Sequence, residues 1–156
     1  MDPVVAILLA WIGKNTDYNT ERINPPQVVH MSLQELTAEY YGAVPHLLPE
    51  DGVDDRLNAL YAATDGPNGR IYLLKPELIP DAEHFDAASD NPLYREILLH
   101  ELVHHVQWQT GEADTWDCQS YGEREAYVLG GRYLRQTRTE DPLPNRTFWA
   151  HVYARC

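Results

Sequence analysis

No apolar run in this chain is long enough to cross a bilayer: the longest, Val4 to Ile12, is about nine residues, where a spanning helix needs roughly 20. It has no basic segment ahead of it and no small-residue cleavage site before Lys14. It therefore reads as a packed N-terminal helix, capped by Asp2 with Pro3 in its first position, rather than as a leader. Basic residues are scarce. Twelve Lys and Arg against 24 Asp and Glu give a formal charge of −12, which argues against nucleic acid or an anionic membrane as partners and leaves neutral or basic molecules. The same acidity is also what keeps many ordinary proteins in solution. Internal repeats and low-complexity tracts are missing as well. A chain of 156 residues with 44% hydrophobic content is thus expected to form one domain, residues 1–156, that buries about two thirds of its unfolded surface.

Cysteine is nearly absent. The two that occur, Cys118 and Cys156, stand just before a helical segment and at the chain end, where a disulfide would close a loop of nearly 40 residues and stabilise by roughly 4 kcal/mol in the chain-entropy model. Bridged, they imply an oxidising compartment, secreted or periplasmic; unpaired, they fit a cytoplasmic protein.

Against that background stands His100-Glu101-Leu102-Val103-His104, an H-E-x-x-H sequence. Asn91-Pro92 supplies a helix start and Gly111 a stop after Gln109, which frames a helix of roughly 18 residues. Two imidazoles four residues apart on a helix lie one turn above the other and can reach one Zn²⁺, with the intervening Glu directed at a water in the remaining coordination position. Steps of about 100° put His100, Glu101, His104 and Trp108 on one side and Leu99, Leu102, Val103 and Val106 on roughly the other. The helix is apolar toward a core and polar toward a site.

A third ligand is required. The extended pattern with Gly three residues and His six residues after the second His is excluded, because Gln107 and Thr110 stand there. No cysteine lies upstream of the helix. A carboxylate from a following helix remains, and on the segment from Ser120 onward Glu123 shares a face with Ala126, Tyr127, Gly130 and Leu134, whereas Glu125 falls on the opposite side. Small residues at Ala126 and Gly130 would let this second helix approach the first closely enough for Glu123 to meet both imidazoles.

Leu98 to Gln107 together with Glu123-Arg124-Glu125-Ala126-Tyr127 resemble the gluzincins, in particular the small single-domain minigluzincins and related bacterial metallopeptidase-like proteins. The resemblance implies an α+β zincin-like domain, a short twisted sheet backing an active-site helix and a Glu-bearing helix, with Zn²⁺ as cofactor. His100, His104 and Glu123 would be its ligands, Glu101 the catalytic base, and Tyr127 would take the place of the polar residue that supports a zinc-bound His. The function expected is zinc-dependent hydrolysis of a peptide or protein substrate; the alternative is a noncatalytic zinc-binding or pseudo-peptidase interaction protein, with Cys118 as a fourth ligand or with the cleft plugged by residues 76–92 or by the chain end.

The other elements read as an αβαββαα pattern. Gln27–Met31 is a strand, and Ser32 with Glu35 forms a capping box opening a helix to about Tyr41. Residues 58–64 and 70–75 flank a turn and read as a hairpin, one edge of which could take an extended peptide by strand addition. The Pro- and Asp-rich connection 76–92 leads into the H-E-x-x-H helix and is of a kind that often borders sites. For a hydrogen-bond donor to the reacting carbonyl, His151, Tyr121, Tyr127 and Tyr153 are candidates. His105 reads as a flanking residue about 100° from His104 or as one that supports the site from behind, and His30, His46 and His84 as ordinary surface or core histidines.

Overall fold

The structure is a computed structural model describing all residues 1–156. Five α-helices and a three-stranded sheet follow in the order α1 (Pro3–Asn15), β1 (Gln27–Met31), α2 (Leu33–Tyr40), β2 (Ala59–Ala62), β3 (Arg70–Leu74), α3 (Pro92–Gln109), α4 (Tyr121–Gln136) and α5 (Arg146–Tyr153). Each start has a local cause. Asp2 accepts from the Val4 amide with Pro3 beside it, Asn91 accepts from the Leu93 amide with Pro92 in the first turn, and Ser32 and Glu35 complete the capping box. The last helix, α5, goes beyond the seven elements read from the sequence: its Asn145 makes no side-chain cap and Ala150 is its only buried residue, so neither a cap nor an apolar stripe announces it.

The sheet order is β1-β3-β2, with β1 parallel and β2 antiparallel to β3. Its central strand is Ile71 to Leu74, buried on both faces, which accounts for the unbroken apolar run. Both outer strands keep a free edge. One core joins the layers: Val5, Leu8, Leu9 and Ile12 from α1, Leu36 from α2, β3, and Tyr94, Leu98, Leu99, Leu102, Val103 and Val106 from α3. At about 25 cal/mol per Å² such side chains contribute roughly 1.5–3 kcal/mol each, so α3, with six of them, is the most firmly seated helix in the molecule.

Helix α4 lies against α3 and continues through Gly130 and Gly131, where side chains from neighbouring elements take the space a Cβ would occupy. At Gly130 a Cβ would overlap Glu96 Oε1 on α3, and at Gly131 it would stand 2.7 Å from Arg146 Cδ at the start of α5. Helix α5 returns along α4, since Arg146 reaches Glu96 and the Tyr127 carbonyl while the Tyr153 ring packs at a tilt on Tyr127. A disulfide from Cys156 to Cys118 fastens its far end ahead of α4. The connection 76–92 forms three short 3-10 turns. It borders a hollow with Arg138 and Thr139 and contributes no residue to the cleft described next; the expectation that it borders the site is corrected.

Candidate metal centre

On α3 the polar face emerges under the free edge of β2, and His100, Glu101, His104 and Trp108 all line one open cleft with Ala59, Leu60 and Tyr61 of β2 and Glu123 and Tyr127 of α4. The helical phase read from the sequence is the observed one. His100 Nε2 lies 3.2 Å from Glu123 Oε2, and His104 Nε2 lies 2.8 Å from Glu123 Oε1. Ligand atoms of all three residues fall within 4.8 Å of one another.

Two imidazole nitrogens and a carboxylate are a donor set that zinc favours. Bonds of about 2.0–2.1 Å in a tetrahedral site separate the donors by about 3.3 Å, so contacts of 2.8 and 3.2 Å need only slight opening to admit an ion. The residues fit the group.

Without a metal, His104 faces opposing influences. Burial works against its charged form, but the hydrogen bond to Glu123 and the charges of Glu101 and Glu123 outweigh it and push its pKa up to about 9. At Glu123 burial favours the neutral acid, and hydrogen bonds from His100 and His104 reverse this, holding the carboxyl well below its usual range. Ion binding here displaces the imidazole proton that Glu123 accepts. Glu101, beside them, is moved the other way: desolvation raises its carboxyl above the ordinary range, against the pull of the two imidazoles. Such a carboxyl is a better proton acceptor than an exposed one.

Behind His104 stands a group that sequence reasoning passed over. The Nδ1–H of His104 donates to Gln107 Oε1 at 3.0 Å, and Gln107 Nε2 donates to the Gly122 carbonyl and to Glu125 Oε1, each at 3.1 Å. Tyr18 O–H donates to the same Glu125 oxygen at 2.8 Å. This fixes the imidazole so that Nε2 faces Glu123, and it needs Gly122, because a Cβ there would overlap Gln107 Oε1. Glu125 lies outside the His100, His104 and Glu123 cluster, as its helical phase indicated, and accepts from Gln107. The signal was the i,i+3 spacing from His104 to Gln107.

Of the two readings of His105, a flank or a supporting residue behind the motif, the second agrees with its full burial. Its Nε2–H donates to the Asn24 carbonyl at 2.7 Å and its Nδ1 accepts from Tyr61 O–H at 3.1 Å, with burial lowering its pKa and keeping it neutral. Since Tyr61 belongs to β2, His105 clamps the edge strand over α3. Tyr127 meets His100 edge to face, ring centroids 4.6 Å apart, so it touches that imidazole through its ring. Of the candidate donors, Tyr127 lines the cleft; Tyr153 only packs on it, Tyr121 lies in a different hollow with Tyr18, and His151 is exposed on α5. His30 bonds Tyr94, His46 is exposed, and His84 sits on the surface beside Asp81 and Glu83.

The profile of a family described as Domain of unknown function (DUF6647) matches residues 1–156. The chain belongs to this family. No curated protein and no solved structure matches it.

Proposed function

We propose that the chain is a zinc-dependent peptide hydrolase with a zincin-like, specifically gluzincin-like, arrangement. The observation that supports this most is the meeting of His100 Nε2 and His104 Nε2 on one Glu123 carboxylate, with Glu101 beside them in an open cleft. His100, His104 and Glu123 would hold the ion. When bound, zinc lowers the pKa of a coordinated water to about 7 and polarises a carbonyl. Glu101, its carboxyl raised by burial, accepts the proton of the attacking water and returns it to the leaving amine. The Tyr127 hydroxyl, whose pKa burial and the Glu123 charge push up, stays protonated and donates toward the carbonyl oxygen.

The free edge of β2 lies along the same cleft and suits an extended peptide, which adds as a further strand and brings its carbonyls past Glu101. A structural zinc site needs four protein ligands, and the candidate fourth, Cys118, is engaged by Cys156. Neither residues 76–92 nor α5 lines the cleft, which weighs against a plugged pseudo-peptidase. The disulfide suits work in an oxidising compartment.

Digestion of a mixed peptide library by zinc-loaded protein, with and without chelator, tests the reading. Chelator-sensitive cleavage lost in Glu101→Gln supports it. A zinc-replete protein that cuts nothing would overturn the hydrolase and leave a noncatalytic zinc protein.

A further inference from the structure

Beside His100 and Glu101 the cleft adjoins a half-open hollow of about 200 Å³. That is below the roughly 300 Å³ at which small-molecule sites begin, so it has room for one side chain rather than a whole ligand. Leu57, Ala59, Ile97 and the Tyr127 ring form the apolar part of its walls, and polar groups, Glu96 and Asn58 among them, form the larger part.

Glu96 stands one turn before His100 on α3, which brings its carboxylate to the same side of the helix as the metal ligands. The residue is 8% exposed. Its Oε1 accepts from Arg146 Nη1 at 3.1 Å, and Oε2 has no donor within the protein. No side-chain oxygen or nitrogen without a partner is sealed from solvent, so Oε2 reaches open space, and the space Glu96 borders is this hollow.

Charge in the hollow is not balanced. Arg146 gives Nε and Nη2 to Asp141 at 2.7 and 2.8 Å and only Nη1 to Glu96, so one cation serves two carboxylates. The other cation at the rim, Arg56, has its side chain 82% exposed and is held by both oxygens of Asp54, a pair with no net charge. A half-open hollow with a few apolar side chains and an unmatched carboxylate fits an aliphatic stem ending in a cation, the form shared by Lys and Arg.

Resting on the hydrolase reading, we propose that this hollow is a specificity pocket that takes a Lys or Arg side chain of the substrate at one fixed position beside the cleaved bond, with Glu96 as the recognising group. His100 and Glu101 are themselves part of its wall, which sets the bound side chain next to the reacting carbonyl. The formal charge of −12 favours encounter with basic peptides over acidic ones.

Two measurements test it. Cut sites in a mixed peptide library should carry Lys or Arg at one fixed position, and Glu96→Gln should lower kcat/KM for such peptides about 10- to 100-fold while sparing neutral ones, as expected for loss of a bond to a charged group. Independently of catalysis, butylguanidinium should shift NMR signals of Ile97, Ala59 and Tyr127 in the zinc-loaded protein and should cease to do so in Glu96→Gln. Since that variant leaves Arg146 short of a partner, Arg56→Ala at the exposed rim is the second arm and should bind the cation more tightly. Cleavage without preference for basic residues, or cation binding indifferent to both variants, overturns the pocket. Glu96-dependent binding of the cation by a protein that cuts no peptide supports the pocket and counts against the hydrolase alone.

Discussion

Replacing Gln107 by Leu removes the group that orients His104 without touching the three proposed ligands. The side chain is 1% exposed and takes part in three hydrogen bonds, accepting from His104 Nδ1–H and donating to the Gly122 carbonyl and Glu125. Leu is close in size, so cavity formation is minor and the loss is polar. Each buried group left without a partner costs about 1–3 kcal/mol; the Gly122 carbonyl and the His104 N–H lose this bond, while Glu125 keeps Tyr18. Destabilisation of about 2–5 kcal/mol follows. Loss of an orienting partner to a zinc-bound His lowers metal affinity by about 10- to 100-fold, or roughly 1.4–2.7 kcal/mol. Tyr18→Phe, one step further back, should weaken zinc by less than threefold, because Gln107 keeps its other partners. Zinc affinity is read by competition with a chromophoric chelator, and folding by urea denaturation of the metal-free protein. An affinity within twofold of wild type in folded Gln107→Leu would refute the claim that Gln107 orients His104.

Gly130→Ala should destabilise by about 1–2 kcal/mol in urea melts, since overlap with Glu96 costs about 1–3 kcal/mol and alanine returns up to about 1 kcal/mol of helix propensity; a stabilised variant would contradict the close approach of α4 to α3. Cys118→Ser with Cys156→Ser opens a loop of sequence separation 38 and should cost up to about 4 kcal/mol, seen as a lower Tm that reductant reproduces in wild type; equal melting temperatures would refute it. Asp141 is held below its ordinary pKa by hydrogen bonds from Arg146. Its contribution is therefore complete above the unfolded value of about 3.9 and fades as pH falls through the lower folded value. Asp141→Asn should be less stable than wild type at pH 6, with the gap narrowing as pH falls below about 3.9, and a gap that does not narrow in acid would be evidence against the pair.

Much of the candidate site was legible because it is local. One helix, bounded by Asn91-Pro92 and Gly111, fixes the spacing of His100, Glu101 and His104, and periodicity alone separates Glu123 from Glu125. Ala126 and Gly130 foretold a close helix pair, although the atom that needs the room at Gly130 is Glu96. What stayed hidden depends on contacts between distant segments. The roles of His105 and Glu96 come from Asn24, Tyr61 and Arg146, residues 81, 44 and 50 positions away. Helix α5 has exposed Phe148 and Tyr153 and one buried alanine, so its pattern resembles a loop, and it is held by the disulfide and by stacking. The hairpin was found but its strands are shorter than expected, Ala59–Ala62 and Arg70–Leu74, because residues 63–69 form the turn and β1 rather than a longer hairpin completes the sheet.

The central claim, that His100, His104 and Glu123 hold one zinc while Glu101 stands free to move a proton, is tested most directly by zinc content per chain in wild type, Glu101→Gln and Glu123→Gln after equilibration with limiting zinc. The account predicts one ion per chain in the first two and a strong loss in the third, because only Glu123 of these carboxylates meets both imidazoles. Wild type without zinc, or Glu123→Gln retaining it as well as Glu101→Gln does, would contradict it.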